Sequence, residues 1–171
     1  MEKQSDKTAL LATLKQLLAT AIDHLLLARQ REGTQLSQLI SGRCVKMQHL
    51  VRQAQERMPV ILEHLRSKFK KHIAELVTDP NHDRVEQEMV LLTQKLDVDE
   101  ELDRLETHII EVLRVLEQQE PIGRRLDFLM QEMNREANTL GSKSADKEMT
   151  AISIELKVLI EQMREQVQNI E

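Results

Sequence analysis

Glu132 and Glu136 stand four residues apart in the run from Gly123 to Leu140, a spacing that puts both carboxylates on one face of a helix and lets them approach a single cation. Hard divalent ions such as magnesium and manganese prefer such oxygen ligands. The same spacing is common on solvated helices that bind nothing. Arg124, Arg125 and Arg135 in this run have the fork geometry that grips phosphate oxygens. Their plainer role is ion pairing with Asp127, Glu132 or Glu136. Gln131 and Asn138 add amides to the same polar face. Carboxylates, guanidiniums and amides together suit a metal and a phosphate, whereas a plain solvated helix is more often filled with Lys and Glu.

A second polar stripe runs through Glu101, Arg104 and His108, at steps of three and four. An imidazole exchanges protons near neutral pH, so His108 is a candidate general acid or base. A lone helical histidine is more commonly a surface or packing residue. Glu161 and Glu165 repeat the four-residue spacing among Lys157, Arg164 and Gln168, a pattern that by itself reads as a solvent face with ion pairs. Lys68, Lys70, Lys71 and His72 form a basic cluster that could track a phosphate backbone or simply favour a helix C-terminus. His24, His49, His64, His72 and His82 have no zinc spacing, and there is no HExxH, phosphate loop or nucleophile elbow.

The elements that must position these groups are helices. The 171 residues suit one domain or part of a larger protein, and Gly and Pro number only four and three. Phe69 and Phe128 are the only aromatic rings besides histidine, so Leu, Ile, Val and Met must build the core, best along helical seams. The net charge of −5 excludes a strongly basic nucleic-acid footprint, so RNA binding would need local basic patches, an oligomeric channel or metal. Cys44, alone and on an apolar stripe, supports neither a disulfide framework nor a cysteine-rich zinc site. Residues 1–6 lead straight into an amphipathic pattern without a signal-peptide signature, and no apolar run is read as approaching the roughly 20 residues of a membrane span. The expectation is a cytoplasmic, reducing location.

Along the chain, a first helix is expected over about 7–31, with Asp6 as N-cap and Leu10, Leu11, Leu14, Leu17, Leu18, Ala21, Ile22, Leu25 and Leu26 as its buried face. Gly33 either ends it or sits inside a longer helix. A second helix, about 34–78, carries the heptad stripe Ile40, Cys44, Met47, Val51, Ala54, Met58, Ile61, Leu65, Phe69, His72 and Leu76, with a kink at Pro59. Asp79-Pro80-Asn81 is the clearest turn. In a third stretch, about 82–118, Val85, Met89, Leu92 and Leu96 precede a break near Asp97, where Asp97-Val98-Asp99-Glu100 looks like a cap, and the stripe resumes at Leu102, Leu105, Ile109, Val112 and Leu116. Glu120-Pro121 opens the next helix, which ends near Gly141, and a last helix spans about 147–169.

The segments Asp97–His108 and Gly123–Ser144, together with the terminus Glu155–Glu171, resemble the YicC family in their order and spacing, with weaker similarity back through Arg84–Glu88 and Arg29 to Gly33. Members of that family carry a β-containing domain ahead of the helical half, and nothing in this chain matches it. The resemblance implies a bacterial, cytoplasmic, metal-dependent endoribonuclease using manganese or magnesium, acting on RNA and assembled as a ring-like homo-oligomer. An older label for the family is stress-related. By motif it implies Glu101, Arg104, His108, Arg124, Asp127, Gln131, Glu132, Arg135, Glu136, Asn138 and Lys143 as site residues. Within that set His108, Glu101, Glu132 and Glu136 are the catalytic candidates. Arg104, Arg124, Arg135, Asn138 and Lys143 are the phosphate-binding ones. Glu132, Glu136 and Glu161 are the metal-ligand candidates.

The expected fold is an all-α, elongated helical bundle with a long, kinked, coiled-coil-like hairpin. Residues 1–80 hold the N-terminal helices and 81–171 a compact helical C-terminal domain, unless the two are continuous. RNA cleavage is the leading function. A non-catalytic RNA-binding adaptor and a coiled-coil oligomerisation scaffold are the alternatives, and no membrane partner is expected.

Overall fold

The computed structural model describes residues 2–76, 82–118, 120–144 and 146–168. They form four helices with no strand among the described residues: α1 (Glu2–Leu76), α2 (His82–Leu116), α3 (Gly123–Lys143) and α4 (Lys147–Val167). The fold is all-α. The Asp79-Pro80-Asn81 turn and the side chains of Val85, Met89, Leu92 and Leu96 lie outside the described residues, as do those of Leu65, Phe69, His72 and Leu76.

The chain divides into two compact units, Met1–Leu39 and Ile40–Glu171. In the second unit the heptad stripe does what its spacing predicts. Ile40, Cys44, Met47, Val51, Ala54, Met58 and Ile61 are buried together with Leu102, Leu105, Ile109 and Val112 of α2, Leu126, Met130, Met133 and Leu140 of α3, and Leu156, Ile160 and Met163 of α4. Cys44 Sγ lies 4.0 Å from Met163 Sδ, so α1 meets α4 directly. Burial pushes the Cys44 thiol up to about 12. Cys44 is therefore expected to stay silent to a thiol reagent at pH 8 in the folded protein and to react on addition of guanidinium; rapid native labelling would contradict the burial.

Several boundaries differ from the sequence expectation. Helix α1 runs unbroken through Gly33 and Pro59, with Asp6 in its interior instead of at its cap. Helix α2 passes through Asp97 without a break. The reason is Val98, which is 1% exposed and joins Leu102, Leu105, Ile109 and Val112 at steps of four and three, so the apolar phase overrides the local capping pattern. Pro121 stands ahead of the α3 cap residue Ile122 instead of in the first turn, and α3 continues past Gly141 to Lys143. Gly141 marks a close approach of two helices: a Cβ there would sit 2.5 Å from Ser153 Oγ, which donates to the Ala137 carbonyl of α3 at 2.8 Å. Asp146 caps α4 by accepting from the Met149 amide at 3.0 Å, and Arg57 of α1 reaches the same carboxylate at 3.1 Å.

The first unit corrects a further expectation. The predicted buried face is exposed: Leu10, Leu11, Leu14, Leu17, Leu18, Ile22, Leu25 and Leu26 keep 48–62% of their surface. A single helix offers no second layer to bury a stripe against. The leucine density also makes α1, within Ala9–Lys68, long and apolar enough to cross a membrane by length and composition alone, contrary to the reading of no such run. Lys15 and Asp23 interrupt its leucine-rich part, residues 9–28.

Candidate metal and phosphate site

Packing of α2 against α3 brings the two polar stripes of the sequence together. His108 of α2 and Glu132 and Glu136 of α3 each offer one ligand atom, and the three atoms lie within 4.8 Å of one another. The face is set by the apolar residues beneath it: Leu105 and Ile109 flank His108 on α2, and Met133 and Ala137 alternate with the glutamates on α3, all buried. The glutamates are an i, i+4 pair, as the sequence indicates. The histidine joins them only through the register between helices.

Glu136 is the deepest member, with its side chain 3% exposed. Arg104 Nη1 stands 3.6 Å from Glu136 Oε1, while Arg104 Nη2 donates to Glu100 Oε1 at 2.6 Å. Beside this pair, Lys143 Nζ at the end of α3 lies 3.4 Å from Glu101 Oε1. Glu101 Oε2 is buried and accepts no hydrogen bond while Glu136 is ionised. The Glu136 carboxyl is pushed up to about 7, first by burial and then by the neighbouring Glu101 carboxylate, to which its protonated form donates; Arg104 and Arg135 oppose the rise. Two adjoining buried carboxylates are relieved either by a proton held between them or by a cation. One imidazole nitrogen and two carboxylate oxygens form a donor set that suits manganese better than magnesium. The residues present therefore fit a divalent ion.

A pH effect follows for the metal-free chain. A carboxyl whose folded pKa is raised favours folding most below its ordinary value of 4.5 and loses that contribution as pH climbs through about 7. Urea unfolding is expected to show stability falling between pH 4.5 and 8, with the fall reduced in Glu136→Gln. An equal fall in that variant would assign it elsewhere.

The remaining candidates spread further. Arg135 and Asn138 are exposed on α3, Arg135 next to Glu136 in sequence, and Arg124 is exposed in the first turn of α3. Arg125 is held by Glu111 of α2, which also accepts from Arg114. Asp127 accepts from Gln131 at 2.7 Å and faces Arg164 of α4 at 3.8 Å. Glu161 is exposed and pairs with Arg164 at 3.8 Å, apart from the group formed by His108, Glu132 and Glu136. Sequence reasoning treats His108 only as a proton carrier. Its position beside both glutamates makes it a candidate ligand as well, a reading that no spacing along one helix could reveal. The pairing of Lys143 with Glu101 is likewise a product of the fold.

Residues 54–171 match the family model described as "Endoribonuclease YicC-like, C-terminal". The chain belongs to the YicC-like endoribonuclease family. It is 46% identical over 167 residues to the "Probable endoribonuclease YicC" of Haemophilus influenzae, a match covering 94% of this chain and 58% of that protein. A protein of the same description from Clostridioides difficile is 36% identical over 173 residues, covering 99% of this chain and 59% of its own length. The chain thus spans less than three fifths of the length of these family members. All three residues of the candidate metal group fall within the matched family region.

Proposed function

We propose that this chain carries the metal- and phosphate-binding part of an endoribonuclease that cleaves RNA phosphodiester bonds with a manganese or magnesium ion. The observation that carries the reading is the convergence of His108, Glu132 and Glu136, in a family of endoribonucleases, beside two cationic side chains. His108, Glu132 and Glu136 would hold the ion. When bound it would supply an activated water and offset charge on the phosphate. Arg104 bridges Glu136 and Glu100, and its half-exposed guanidinium would turn from Glu100 to meet a phosphate oxygen. Arg135 and Asn138, both exposed, would extend that contact along the backbone. Lys143 pairs with Glu101 at 3.4 Å and would orient it behind the site. The substrate is RNA, the location cytoplasmic and the working form a homo-oligomer in this proposal.

The test is structured RNA incubated with manganese or with chelator, beside the variant Glu132→Gln/Glu136→Gln. Cleavage that needs manganese and drops by on the order of 100-fold or more in the variant is expected. Cutting in chelator, or full activity in the variant, would defeat the metal reading. Inactivity of this chain beside an active full-length relative would show that the residues beyond its span are required for cutting.

A further inference from the structure

The leucine face of the first unit is a feature that the nuclease reading leaves unused. Leu10, Leu11, Leu14, Leu18, Ile22 and Leu25 are all about half exposed or more, between 48% and 62%. At 3.6 residues per turn, the apolar residues from 10 to 26 sweep about half of the helix circumference. A two-stranded coiled-coil seam needs only a narrow stripe, whereas an arc this wide fits a helix laid into the core of a domain. The opposite face holds Thr13, Gln16, Thr20 and Asp23, and Thr13 and Thr20 each donate to the carbonyl four residues back at 3.0 Å. That face lacks the Lys and Arg by which an amphipathic helix binds an anionic bilayer.

The family relationship identifies a candidate for the cover. The match to the C-terminal family model begins at residue 54, so the leucine face lies outside it. The matches to the two relatives cover 94% and 99% of the chain, so they reach well ahead of residue 54 and include the face. Those relatives have two fifths of their length beyond what this chain spans, given coverages of 58% and 59%. We propose that the face formed by residues 10–26 is a docking surface for the additional length that the relatives carry. The helix then packs into that additional part and couples it to the region carrying the candidate site. The inference rests on family membership and stands whether or not the metal group cuts RNA.

Single cysteines test it. Leu18→Cys lies on the leucine face and Thr20→Cys on the polar face, and the native Cys44 is buried. In the 171-residue chain both new thiols are expected to react with a maleimide at similar rates. At the aligned positions of the full-length Haemophilus influenzae relative, the leucine-face thiol is expected to react at least about tenfold more slowly than the polar-face thiol, with the ratio unchanged on dilution. Equal rates in the full-length relative would overturn the proposal. A ratio that collapses on dilution would give the face to a second copy and overturn it too. Protection seen only on adding phosphatidylcholine vesicles would give it to a bilayer, with the same consequence.

Discussion

Replacing His108 by Ala is expected to lower manganese-dependent RNA cleavage by about 10²-fold or more while leaving salt-sensitive RNA binding in place. The imidazole stands within ligand distance of Glu132 and Glu136, and two roles are open to it. As a ligand, it supplies the nitrogen that favours manganese, and its loss raises the manganese concentration needed for half-maximal cleavage. As a proton carrier, its loss lowers the rate at saturating manganese and removes one limb of the pH–rate profile. The geometry favours the ligand role, because the nitrogen shares a cluster with two carboxylates, one of them buried. Measuring cleavage across manganese concentrations in His108→Ala checks this. An unchanged manganese requirement with a flattened pH profile would transfer His108 to the proton-carrier role, and unchanged activity would remove it from the site. Arg104→Ala is a useful companion. It frees Glu136 from a cation at 3.6 Å and removes a solvent-edge guanidinium, so it should weaken RNA binding as well as rate.

The second large effect is on folding. Leu102 is fully buried between helices of the second unit, one residue from Glu101. Leu102→Ala should cost about 2–5 kcal/mol, through lost transfer energy and the cavity left behind. For a chain of this size that lowers the melting temperature by roughly 5–20 °C. Leu18→Ala removes the same atoms from a side chain that is 62% exposed, and it should change stability by less than about 0.5 kcal/mol. Urea denaturation of the two variants measures the contrast. Similar losses would show that the leucine face is buried in the isolated chain, and equally small ones would deny the core.

These two leucines also show what the sequence makes legible. Both sit on clean 3.6-residue stripes, and the stripe correctly predicts a helix in each case. From Ile40 to Ile61 the steps of four and three also predict burial, because three other helices supply apolar faces to meet them. From Leu10 to Leu26 the same kind of pattern leads to a wrong expectation, since periodicity says which face is apolar and nothing about what covers it. The misplaced break at Asp97 has a related cause. Asp97-Val98-Asp99-Glu100 satisfies a capping pattern locally, but Val98 keeps the core stripe in phase and its burial outweighs a cap.

The candidate site divides in the same way. Glu132 and Glu136 are readable because an i, i+4 pair is fixed by one helix. His108, Lys143 and the deep setting of Glu136 depend on the register of α2 against α3, which no local spacing encodes. The family resemblance supplies those residues as a set without their geometry. The structure adds that Glu101 and Glu136 adjoin, that Lys143 and Arg104 compensate them, and that Glu161 pairs with Arg164 elsewhere.

The most direct measurement is a manganese titration of the chelator-treated chain at pH 7.5, followed by the loss of the free-ion electron paramagnetic resonance signal. A metal site formed by His108, Glu132 and Glu136 predicts saturable binding of one ion per chain, abolished in Glu132→Gln/Glu136→Gln and weakened on the order of 10–100-fold or more in His108→Ala. Saturable binding that is equally tight in the double variant, or no binding by the folded wild-type chain, would contradict it.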